Sequence, residues 1–131
     1  MQNKFLQLAF FLAAVAVAVG AFGAHALNEI LDANSMHTYE TGVQYHFYHA
    51  IALAVTGLVK KHSNHKTIEY AGWLFIAGII LFSGSLYALS LCKAAGILHI
   101  NWIGAITPLG GVCFIGGWFC LLIAAKYVHR S

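Results

Sequence analysis

Within 131 residues this chain places four predominantly apolar runs, roughly Phe5 to Ala24, Tyr39 to Val59, Tyr70 to Leu91 and Asn101 to Ala125. Each is about the 20 residues that a helix needs to cross a hydrocarbon core about 30 Å thick. Lipid offers the backbone no hydrogen bonds, so a spanning segment must satisfy its own N–H and C=O groups, and an α-helix does so internally. The expected fold is therefore all-α: an integral membrane four-helix bundle forming one transmembrane domain over residues 1–131. The intervening breaks run from Leu27 to Thr38, Lys60 to Glu69 and Cys92 to Ile100. None is long enough for a second domain.

Composition closes the other routes. Hydrophobic residues make up 60% of the chain and charged residues 8%, against about a quarter charged in a soluble domain, so a water-soluble enzyme is excluded. Aromatic residues at 14% and only four acids exclude a disordered chain as well. The formal charge of +3 is small and scattered, which does not suit nucleic acid, whose binding needs basic residues gathered on one face. Cys92, Cys113 and Cys120 are an odd number without C-x-x-C spacing, so neither a disulfide framework nor a zinc site is expected.

Ala24-His25-Ala26 after an apolar stretch has the look of a signal-peptide cleavage site. The stretch exceeds the 7–15 residues usual for a signal h-region, and a retained helix is the expectation. Lipid anchors are not signalled, since Gln2 stands where myristoylation needs glycine and the C-terminus is no C-a-a-X box.

Lys and Arg mark the cytoplasmic side of short loops. With the N-terminus inside, that side holds Lys4, Lys60, Lys61, Lys66, Lys126 and Arg130, and the other holds Lys93 alone. Both termini are then cytoplasmic. Inside lipid, helices associate at small residues that let backbones approach. In the fourth run Gly104 and Gly111, and likewise Gly110 and Gly117, lie seven apart on one face each, and are read as packing grooves. Pro108 is expected to kink that run by removing a donor and pressing on the Gly104 carbonyl, with Thr107 or a neighbouring helix satisfying the freed group. A faint repeat at an offset of 62 pairs His37 with His99 and Gly42 with Gly104, close to what the biased composition gives by chance.

The second run is the unusual one, because Glu40, Gln44, His46 and His49 fall inside it. Ionisable groups in a span cost about 2.5–3.5 kcal/mol each on insertion scales and normally face the protein interior or a wet cavity. At 1.5 Å per residue from Tyr39, His46 lies about 10 Å deep and His49 about 15 Å. Polar groups of the other runs reach similar depth: His25 in the first, Ser83, Ser85 and Tyr87 in the third, Asn101 and Thr107 in the fourth. The inner half is nearly apolar apart from Thr56. An outward-facing polar pocket lined by His25, Glu40, Gln44, Tyr45, His46, His49 and Tyr87 is therefore expected, closed toward the cytoplasm.

Helical angle bounds its chemistry. Gly42, His46 and His49 share one stripe, while Glu40 and Gln44 share another about 120° away. A Glu-x-x-His di-iron motif fails because Val43 stands where the histidine is needed. His46 and His49 remain the candidate metal ligands, or one of them pairs with His25 on a haem; no cofactor is expected otherwise. Glu40 is read as a hydrated carboxylate at the interface or as a group exchanging protons with His46 or His49. His62, His65 and His129 sit among basic residues and are expected to be solvated.

Four motifs in order, Gly20-Ala-Phe-Gly-Ala-His25-Ala-Leu27, Tyr39-Glu-Thr-Gly-Val-Gln-Tyr-His-Phe-Tyr-His49-Ala-Ile-Ala-Leu53, Phe82-Ser-Gly-Ser-Leu-Tyr87-Ala-Leu89 and Ile106-Thr-Pro-Leu-Gly-Gly111, give the chain a resemblance over nearly its whole length. It resembles the YgdD-like family of small four-pass membrane proteins, also called domain of unknown function 423, whose eukaryotic relatives include transmembrane protein 256. The resemblance implies residence in the bacterial inner membrane and carries no activity. The expected function is non-enzymatic: a multi-pass membrane protein holding a small ligand, an ion or a partner at the polar pocket, with the bilayer and a second copy or a membrane complex as partners. The alternatives are a small proton-coupled transporter and a His-ligated metal or haem protein.

Overall fold

The computed structural model describes residues 3–97 and 99–128, so His129 and Arg130 lie outside the described residues. Four long helices follow one another: α1 (Lys4–Leu27), α2 (Ala33–Lys60), α3 (Lys66–Ala94) and α4 (Asn101–Val128). No strand occurs among the described residues. Three of the four, α1, α3 and α4, are long and apolar enough to cross a membrane. Helix α2 is as long, but its N-terminal half is too rich in polar residues to meet that measure.

The helices outrun the apolar runs because apolarity reports depth in lipid, whereas caps set where a helix starts. Asp32 accepts the Ser35 N–H at 2.7 Å and begins α2 seven residues before Tyr39. The His65 side chain takes the N-cap position of α3, and that of Asn3 the N-cap of α1. Past α3, Gly96 adopts φ +74°, a left-handed turn that glycine accommodates without strain.

Successive helices run antiparallel. Asn3 Nδ2 donates to the Gly57 carbonyl at 2.5 Å at one end of the α1–α2 pair, and Tyr39 Oη to the Val19 carbonyl at 2.6 Å near the other. Lys60 pairs with Glu69 across the α2–α3 hairpin, and His65 stacks on Tyr127 with ring centroids 4.2 Å apart. The loop at 61–65 thus shares an end of the molecule with Asn3 and Tyr127, and residues 28–32 and 95–97 share the opposite end. Helix α2 is central, packed along α1 and α3, while α4 packs chiefly on α3. Three apolar layers fill the axis: Phe5, Ala9 and Leu53; Ala52, Ala71, Phe75, Ile79 and Phe114; Leu27, Leu31 and Tyr39. Leu109, Val112, Ile115, Phe119 and Leu122 lie exposed on α4, the inverse of a soluble surface and the one that hydrocarbon solvates.

Two wide π-turns interrupt the ladders, Gly23–Leu27 ending α1 and Ile79–Ser83 in mid-α3. The Pro108 kink takes a different form from the one expected. Helix α4 opens with a single turn, Asn101–Gly104, pauses at Ala105–Ile106 and resumes at Thr107. Pro108 then occupies a first turn, where its missing N–H is not required. The Thr107 hydroxyl is engaged with Ser85 Oγ on α3 at 2.6 Å, not with the backbone upstream.

Candidate functional site

The polar side chains that the sequence gathers into one pocket divide between two faces of α2. Gly42, His46 and His49 point into the interior, and His46 and His49 are 3% and 5% exposed. Glu40 and Gln44 lie on the outer surface. The angular separation of the two stripes, legible in the spacing, is what divides them. The expected single chamber is accordingly replaced by an interior histidine face and a separate groove.

On the interior face, His46 Nδ1 lies 2.9 Å from Tyr87 Oη of α3. The close approach of the two helices depends on Gly42, where a Cβ would come within 2.9 Å of the Tyr87 ring. This hydrogen bond engages one imidazole nitrogen and leaves the other, Nε2, outside it. That nitrogen and Ser83 Oγ, one turn along α3, are the buried side-chain polar atoms without a partner among the described residues. A neighbouring tyrosine, Tyr39, packs on Tyr87 with centroids 5.4 Å apart.

His49 is held differently. Indole can only donate, so the Trp118 Nε1–H, 3.2 Å from His49 Nε2, fixes that nitrogen as the acceptor. The proton sits on Nδ1 and is donated to the Tyr45 carbonyl at 2.7 Å. The ring lies flat on Phe114, centroids 3.4 Å apart and planes within 8°. Both nitrogens are thereby engaged, and a metal at His49 would have to displace Trp118. His46 and His49 consequently face different partners and do not form a shared ligand pair. Among the described residues no three His, Cys, Asp or Glu side chains converge as a metal-holding group. The three cysteines are free thiols.

Tyr45 lies against Phe82, centroids 4.8 Å apart, and is 39% exposed. His25 is exposed on the terminal π-turn of α1, away from both histidines of the interior. On the outer side, Glu40 and Gln44 border a groove of about 610 Å³ between α1 and α2, with Tyr39, Phe47 and Tyr48 among its walls. It is floored by small residues of α1, including Ala16, Gly20 and Ala24.

The four packing glycines also divide. Gly110 abuts the Phe82 backbone, and Gly117 faces the Phe75 ring. A Cβ at Gly111 would meet Phe82 Cδ2 at an ordinary 3.9 Å, and one at Gly104 would find open space within 4 Å. The seven-residue spacing identifies two glycine pairs, of which only the one facing α3 forms a tight contact. Phe114 and Trp118, which enclose His49, were not among the sequence candidates; nothing in an apolar helix sequence distinguishes an aromatic facing inward from one facing lipid.

A family model described as "Protein of unknown function (DUF423)" matches residues 19–111. The chain is 47% identical over 126 residues to the UPF0382 membrane protein YwdK of Bacillus subtilis, covering 95% of this chain and 98% of that one. A UPF0382 membrane protein of Staphylococcus epidermidis is 42% identical over 92% of this chain and 93% of its own. One from Haemophilus influenzae is 41% identical over 92% of each. No solved structure matches. With its quoted motifs inside or beside the matched segment and its apolar surface turned outward, the chain belongs to the DUF423 family of bacterial membrane proteins.

Proposed function

We propose that the chain is a four-span protein of the bacterial inner membrane, both termini cytoplasmic, that acts without catalysis by holding a small lipophilic cation in the α1–α2 groove beside Glu40. Support for a fourth span comes from α2 itself. Its 28 residues extend about 42 Å at 1.5 Å per residue. It lies antiparallel along both α1 and α3, so a membrane crossed by those two is crossed by α2. Support for the orientation is the lysine bias: Lys4, Lys60, Lys61 and Lys66 gather at one end and Lys93 stands at the other.

The observation that carries the binding reading is a carboxylate on the rim of an otherwise apolar groove. A carboxylate there favours a partner of positive charge. Phe47 and Tyr48 add exposed aromatic rings of the kind that attract cations, and the apolar floor suits a hydrophobic body. The interior His46–Tyr87 and His49–Trp118 pairs then serve rigidity, since their hydrogen bonds join helices and leave no chamber.

The test is equilibrium binding of tetraphenylphosphonium to the purified protein in nanodiscs. Saturable binding that weakens about tenfold in Glu40→Gln, the loss of a close charge pair, with Gln44→Leu milder, supports the reading. Partition indistinguishable from empty nanodiscs, or binding indifferent to Glu40→Gln, overturns it. Proton-coupled uptake of the same cation into proteoliposomes would convert binding into transport.

A further inference from the structure

At the opposite end of the molecule from Glu40, a second concavity of about 540 Å³ opens between α1, α2 and α3. Its rim carries Lys4, Lys60 and Lys61, and its wall includes Leu8 and Trp73. The one carboxylate present, Glu69, is occupied on both oxygens: Lys60 Nζ binds Oε2, and Trp73 Nε1–H donates to Oε1 at 3.2 Å. Lys60 is further fixed over the Phe5 ring, 4.9 Å from its centroid. The buried Phe5 ring is in turn seated against Gly72, where a Cβ would collide with it.

Lys4 and Lys61 are therefore exposed ammonium groups with no ion-pair partner among the described residues, at the mouth of a concavity walled by Phe5, Leu8 and Trp73 together with the uncharged Asn3 and Asn64. Trp73 is 55% exposed and Leu8 37%, continuing from the basic rim along the lipid-facing surface toward mid-bilayer. Positive charge above and apolar wall below is the profile of one phospholipid, not of a soluble anion, which would leave Leu8 and Trp73 bare.

We infer that this concavity binds an anionic phospholipid, its headgroup phosphate between Lys4 and Lys61 and an acyl chain along Leu8 and Trp73. The Glu69–Lys60–Trp73 linkage acts as a positioning element: it neutralises the acid that would repel the phosphate and holds the indole as a wall. The site is independent of the α1–α2 groove, so failure of cation binding there leaves it standing, and the reverse.

Thermal unfolding of the full-length protein in detergent, with phosphatidylglycerol or phosphatidylcholine added, tests it. Phosphatidylglycerol should raise the midpoint at concentrations where phosphatidylcholine does not, and soluble glycerol phosphate should have no effect. Each of Lys4→Gln and Lys61→Gln should raise the lipid concentration needed about fivefold, with Lys4→Arg and Lys61→Arg restoring it. Lys126→Gln, at the same end but outside the concavity, should bind as the parent does. The inference is overturned if the lysine pair can be neutralised without loss, if Lys126→Gln weakens binding as much, or if glycerol phosphate reproduces the shift. Should the glutamine variants unfold, retention of lipid through purification, read by native mass spectrometry on the arginine variants and on Trp73→Ala, decides the matter: the arginine variants keep phosphatidylglycerol and Trp73→Ala loses it, or the site is refuted.

Discussion

At the scale of single residues, each interior histidine is tied to a side chain of a neighbouring helix, His46 to Tyr87 and His49 to Trp118. Removing the Tyr87 hydroxyl leaves His46 Nδ1 buried and bare, so Tyr87→Phe should cost about 1–2 kcal/mol, the penalty for orphaning a buried polar atom. His46→Leu combined with Tyr87→Phe should cost less than the two separate losses, because no polar atom is then stranded; thermal unfolding in detergent micelles measures both. The glycines give a sharper contrast. Gly110→Ala drives a methyl into the Phe82 backbone, and an overpacked contact of that kind costs about 2–3 kcal/mol. Gly84→Ala, with nothing within 4 Å, should be neutral or stabilise by about 0.5–1 kcal/mol through helix propensity. Glycine spacing alone does not tell these positions apart, since the distinction lies in which helix stands opposite.

At the scale of elements, helix ends and interruptions depend on side chains that hydropathy overlooks. The Asp32 carboxylate is held below the usual carboxylate range, chiefly by the Ser35 N–H, then by the Ser35 hydroxyl, with Lys93 contributing its charge. Because folding lowers this pKa, the cap stabilises α2 at neutral pH and is lost as pH falls through the folded value. Exchange of the Ser35 amide should therefore be faster in Asp32→Ala than in the parent at pH 7, and the two should converge in acid. Helix α4 offers the converse case. Sequence rules put Pro108 in a helix interior, where replacement by alanine would gain about 3 kcal/mol. The structure starts the helix again at Thr107, and Pro108→Ala should change the unfolding free energy by less than about 1 kcal/mol. The two π-turns, Gly23–Leu27 and Ile79–Ser83, are not legible in the sequence, since no residue type demands a π-turn.

At the scale of the whole molecule, antiparallel packing and the lysine distribution predict one topology. A phosphatase reporter inserted in the 61–65 hairpin should be inactive and one at 95–97 active in the periplasm; the opposite pattern would invert the orientation. The class of solvent, the helical content and the two-sided nature of α2 are legible along the chain, because they follow from local hydropathy, hydrogen-bond economy and the 100° turn of a helix. It also sets Glu40 nearer the rim than His46 and His49, since depth is counted along one helix. That Glu40 and Gln44 face a groove with α1, while His46 meets Tyr87 and His49 meets Trp118, depends on how the helices pack. Rotation of a helix about its axis, and the partner it finds, is set by close approaches such as Gly42 to Tyr87 and Gly117 to Phe75. In a helix apolar on every side, no pattern of polarity encodes those approaches.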